Sequence, residues 1–171
     1  MDLPEKVSES MSGLEKLAAS LPGYRGYKQK EVRRQADKLL RESLSARFEE
    51  QRRRASELQV QLVSSGRIEF TDDLERVVMK LQRIVDRLKT ASYGYAGFFD
   101  AVKVKEDQLD ALYAFDNSLM EQVTKVSAAV DKIATALSGE GELAPAINEL
   151  VATSQQINDT LDRREEAILQ A

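Results

Sequence analysis

The chain has 171 residues, 42% of them hydrophobic and 32% charged, with a formal net charge of −4. That is the length and composition of one domain able to bury a core. It contains no Cys, His or Trp, which excludes disulfides, thiolate metal sites, cysteine nucleophiles, histidine bases and Ser-His triads.

Good helix formers dominate, and only three Pro and eight Gly interrupt them. The opening Met1-Asp2-Leu3-Pro4-Glu5 is acidic where a signal peptide is basic, and no apolar run approaches a membrane span. The expectation is a cytoplasmic protein forming a single domain over 1–171.

The first predicted helix covers 3–20, with Leu3, Val7, Met11, Leu14, Leu17 and Ala18 on one stripe; Leu21-Pro22-Gly23 ends it. The second covers 28–64, about 55 Å at 1.5 Å per residue. Val32, Ala36, Leu39, Leu40, Leu44, Phe48, Ala55, Leu58 and Leu62 mark its buried side, and Ser65-Gly66 supplies a stop. The third covers 71–92, with Thr71 as the expected N-cap and Asp72, Asp73 and Glu75 in the first turn. Its seam of Leu74, Val77, Leu81, Ile84, Leu88 and Ala91 alternates steps of three and four, a heptad signature.

The fourth helix covers 105–138. Leu109, Leu112, Leu119, Val123, Val126, Val130, Ile133 and Leu137 carry its seam, which Asp116 interrupts as a polar intruder. After a turn at Gly139-Glu140-Gly141, the fifth covers 143–169, with Leu143, Ile147, Leu150, Ser154, Ile157, Leu161 and Ile168 on one face. No stretch alternates with the period of a strand. The fold expected is all-α: an elongated antiparallel helical bundle of four long helices plus a shorter N-terminal helix, with coiled-coil-like packing.

Eight of the ten aromatic residues fall in three stretches: Tyr24 and Tyr27, Tyr93 to Phe99, and Tyr113 with Phe115. Hairpin folding brings all three to one end, opposite the Gly66 turn. They read either as a cap on the core or as a partner-binding patch, since Tyr and Arg recur in interface hot spots. Tyr24, Arg25, Tyr27, Tyr95, Phe98 and Phe99 are the candidate contacts.

Charge is segregated along the chain. Residues 23–54 carry eleven Lys or Arg against five acids, and residues 105–171 carry five against thirteen. Lys30, Arg34, Lys38 and Arg41 share one broad helical face and are candidate anion-binding residues for a membrane surface or, less favoured by the net charge, a nucleic-acid backbone. Asp37 sits among them, within pairing distance of Arg33 or Arg41. Arg52-Arg53-Arg54 reads as a salt-bridged surface with Glu49, Glu50 and Glu57 as its acids.

Gly23-Tyr24-Arg25-Gly26 superficially matches the GxxG loop of the KH fold, but that fold needs a sheet this sequence does not supply. Carboxylates are the remaining catalytic material: Asp159, Asp162, Glu165 and Glu166 on one helix, Glu106, Asp107 and Asp110 on another. Magnesium enzymes use such spacing, but no facing ladder with phosphate-binding residues accompanies it. No motif specifies a characterised family. The reading is a non-enzymatic interaction or scaffold protein, with a protein partner or self-association, no cofactor, no metal and no small-molecule substrate.

Overall fold

The computed structural model describes the backbone of residues 25–91 and 106–169 and the side chains of 35, 37–91 and 114–167. The expected N-terminal helix over 3–20 lies outside the described residues. Four helices form an all-α bundle: α1 (Arg25–Ser64), α2 (Thr71–Thr90), α3 (Glu106–Leu137) and α4 (Leu143–Leu169), with a short 3-10 turn at Ile68–Phe70 before α2.

Both described turns are closed by the same device. Arg67 N–H donates to Leu62 O at 2.9 Å and Gly66 N–H to Val63 O at 3.1 Å, the paired bonds of a Schellman motif. Glu140 N–H to Thr135 O and Gly139 N–H to Ala136 O, both 3.2 Å, repeat it at the second turn. Gly66 and Gly139 hold φ of 76° and 98°, values that penalise a Cβ. The expected N-cap at Thr71 is corrected: Phe70 precedes the helix without a side-chain cap bond. Thr71 has helical backbone and its hydroxyl donates back to Ile68 O. The 3-10 turn already runs into the helix, so Thr71 is inside it and cannot cap.

Each turn makes an antiparallel hairpin, α1 with α2 and α3 with α4, and the two hairpins pack side by side. Arg54 pairs with Asp131 near the turns, while Arg164 reaches both Asp37 and Asp116 at the other end. The direction of these pairs makes α1 parallel to its neighbour α3. Arg87 of α2 pairs with Asp162 and Glu165 of α4. Both tight turns therefore share one end. At the opposite end α1 begins, α2 stops and α3 begins.

The core is a set of heptad ladders. On α2, Leu74, Val77, Leu81, Ile84 and Leu88 are buried; on α3, Leu119, Val123, Val126, Val130 and Ile133; on α4, Leu143, Ile147, Leu150, Ile157 and Leu161. On α1 the buried seam is Asp37, Arg41, Leu44, Phe48, Gln51, Ala55, Leu58 and Leu62, alternating steps of four and three without a break, with Ser45 buried beside it. Leu39, expected on the buried side, is 54% exposed. It lies off this seam, and Leu40 takes the partly buried position beside the core.

Candidate functional site

Two positions at the start of the α1 ladder are charged, and so is one on each of α3 and α4. Counting back from Leu44 in steps of three and four reaches Arg41 and Asp37. Counting back three from Leu119 reaches Asp116, and forward three from Leu161 reaches Arg164. Heptad phase thus turns all four into the core. Their relative exposures are 5%, 8%, 5% and 2%. Charges this deep stand only if paired and hydrogen-bonded.

They are. Arg164 Nε donates to Asp116 Oδ1 at 2.9 Å, and its Nη2 donates to Asp37 Oδ1 at 2.8 Å. Arg41 Nε donates to Asp37 Oδ2 at 2.7 Å. Arg41 Nη1 also donates to Leu88 O at 3.1 Å, one of the last four carbonyls of α2, which have no partner within their own helix. The guanidinium of α1 thus caps α2 at the end where its dipole favours a cation. Two arginines balance two aspartates, and all four helices contribute to one layer.

Burial pushes the Asp116 carboxyl above the usual carboxylate range; Arg164 pulls it back by charge and hydrogen bond, Asp37 adds to the rise and Arg41 opposes it. These carboxylates are held by arginines rather than presented to solvent. Among the described residues, no group of three acids is placed to hold a metal ion.

The remaining candidates sort by their surroundings. Tyr24, Tyr95, Phe98 and Phe99 lie outside the described residues. Arg25, Tyr27, Lys30 and Arg34 belong to the backbone of α1, but their side chains lie outside the described set. Lys38 is exposed, with Glu42 3.8 Å away. Arg41 departs from the expected basic face: it is buried in the ionic layer because it falls on the seam one turn after Asp37. The expected alternative of Asp37 pairing with Arg41 is the one seen. Phe115, next to Asp116, is half-buried.

The arginine run divides between two jobs. Arg52 pairs with Glu49 at 2.8 Å and Arg53 with the same carboxylate at 3.2 Å. Those hydrogen bonds, Arg52 first, hold Glu49 down at about 2. Arg54 instead crosses to α3, reaching Ser127 and Asp131. Of the acid set on α4, Asp162 and Glu165 bind Arg87 at 2.8 and 2.9 Å, and Asp159 accepts from Gln155 at 2.9 Å. Glu106, Asp107 and Asp110 have no described side chains.

A groove of about 360 Å³ between α1 and α2 is lined by Lys38, Arg41, Glu42, Ser45, Ala46, Glu49, Leu88 and Lys89. Two lysines stand with two glutamates, and Arg41 is paired with Asp37, so the groove presents no field of one sign. Sequence reasoning named Asp116 as an intruder and the Asp37–Arg41 pair, but missed Arg164. The signal was its phase between Leu161 and Ile168.

Among the described residues, no helix is long and apolar enough to cross a membrane. Comparison of the chain with protein-family models, curated proteins and solved structures finds no match, so its function is argued from its own residues.

Proposed function

We propose that this chain is a non-enzymatic helical interaction or scaffold protein that binds a protein partner at the end of the bundle opposite the two glycine turns. The supporting observation is where the helices begin and stop. Arg41 of α1 is level with Leu88 of α2, so the twelve residues of α1 before Asp37 project about 18 Å past the ionic layer. The ten residues of α3 before Asp116 project about 15 Å in the same direction. At this end α1 begins, α2 stops and α3 begins; in sequence, Tyr24 directly precedes α1, Arg25 and Tyr27 fall in its first turn, and Tyr95, Phe98 and Phe99 fall between α2 and α3.

The charged groups support a binding role over a catalytic one. Asp37, Asp116, Asp162, Glu165 and Glu49 are each engaged by arginine. A carboxylate fixed in an ion pair is a poor base and a poor ligand. The alternative, a peripheral binder of anionic lipid or nucleic acid through Lys30, Arg34 and Lys38, loses Arg41 to the core. Such binding would fall steeply with salt.

The test compares proteins recovered from the native cells with wild type and with a Tyr24→Ala, Phe98→Ala variant. A partner held by wild type and lost by the folded variant supports the reading. Equal recovery by both overturns it.

A further inference from the structure

We infer that the ionic layer sets the axial register of the two hairpins, through the bridge that Arg164 makes between Asp116 of its own hairpin and Asp37 of the other. This inference is independent of the binding reading.

The apolar part of the core cannot set register by itself. Below the layer, α1 presents Leu44, Phe48, Ala55, Leu58 and Leu62, and α3 presents Leu119, Val123, Val126, Val130 and Ile133. Apart from Phe48, Ala55 and the buried Gln51 of the same α1 seam, these are large aliphatic positions repeating every heptad. Sliding one hairpin past the other by seven residues, about 10 Å, lays apolar positions over apolar positions again. A slip exchanges Leu44 with Gln51 and Phe48 with Ala55, but the aliphatic remainder of the repeat discriminates only weakly between registers.

The charged layer removes that degeneracy. In the observed register, the Arg164 guanidinium meets one carboxylate from each hairpin, at 2.9 and 2.8 Å. A slip of one heptad sets Arg164 level with Leu44 or Lys30 of α1, and Asp37 loses its cross-hairpin donor. One direction buries an arginine against leucine and the other sets it against another cation. Both break the bond that joins the hairpins: Arg164 keeps Asp116 and Asp37 keeps Arg41, but each buried group loses one charge-assisted hydrogen bond, which the low-dielectric interior penalises. In the other ion pairs between the hairpins the acid lies at the rim: Asp131, Asp162 and Glu165 are 63%, 56% and 50% exposed, against 33% for Arg54 and 15% for Arg87. Such exposed carboxylates can follow a slip and re-pair in water.

The absence of Cys allows a direct test in the full chain. Glu57 of α1 and Glu121 of α3 are both exposed. Glu57→Cys and Glu121→Cys carry spin labels whose separation is sensitive to sliding of α1 against α3. The background is either wild type or the fourfold apolar replacement Asp37→Leu, Arg41→Met, Asp116→Leu, Arg164→Met. Wild type should give one narrow distance. The fourfold variant should stay folded and add a second population displaced by up to about 10 Å. The milder pair Asp116→Leu, Arg164→Met, which leaves Asp37 with Arg41, should show the same second population. A single unchanged distance in either folded variant overturns the inference. So does failure of both to fold, because a layer kept for register is replaceable by apolar residues without loss of the bundle.

Discussion

The guanidinium of Arg164 on α4 donates to Asp37 on α1 at 2.8 Å, joining residues 127 apart in sequence. It also holds Asp116 on α3. One side chain therefore ties three helices together at the level where α2 ends. This shapes what each substitution should do.

Replacing Arg164 with Met keeps the volume of the side chain but strips Asp116 of its bonded cation. Breaking a buried pair in this way costs about 3–5 kcal/mol. Urea unfolding should show that loss, with an unchanged slope against denaturant. A cost under about 1 kcal/mol would place the layer in water rather than in the core.

Rim pairs should behave differently. Lys132 and Glu149 pair at 2.6 Å, but their side chains are 56% and 46% exposed. Lys132→Ala should change stability by about 0–1 kcal/mol, and the difference should vanish in high salt. Arg87→Ala should cost more, since its 15% exposed side chain serves Asp162, Glu165 and the Asn158 carbonyl.

The acid limb should carry two signs. Glu49 is held near 2, below its ordinary value of 4.5, by its hydrogen bond to Arg52 first and by Arg53, against a burial effect that raises it. Its contribution is present above pH 4.5 and is lost as pH falls toward 2. Asp116 is raised by burial, so its folded form takes up a proton first, and its contribution to stability improves as pH falls through the raised value. Glu49→Gln should flatten the acid loss seen by thermal unfolding between pH 4.5 and 2. Asp116→Asn should steepen it, because a compensating uptake is removed.

The Gly66 turn offers a conformational test free of packing. A Cβ there meets nothing within 4 Å, yet φ is +76°. Gly66→Ala should therefore cost about 1–2 kcal/mol from backbone strain alone. Thermal unfolding at fixed pH measures it.

The ladders and turns were legible because a heptad seam and a Gly after a helix each have one dominant physical cause. Leu74 to Leu88 and Leu143 to Leu161 were assigned to the core by spacing, as were Gly66 and Gly139 to turns. The charged layer was legible in phase but obscured by residue type. A helical wheel that takes Val32, Ala36 and Leu39 as the buried side puts Arg41 with Lys38 on the opposite face; Leu39 is 54% exposed, so that wheel is rotated away from the true seam. What decides is whether an acid stands on a facing seam, and that needs the tertiary pairing of α1 with α3 and α4. Thr71 shows the converse: a good capping residue does not cap when the preceding residues are already helical.

The most direct measurement of the central claim is a double-mutant cycle on Asp116 and Arg164, read by urea unfolding of wild type, Asp116→Leu, Arg164→Met and the pair. The account predicts a pair far less damaging than the sum of its single changes, with a coupling of about 2–3 kcal/mol. Additivity within about 0.5 kcal/mol would contradict it, because two charges that do not feel each other cannot be buried partners in one ionic layer.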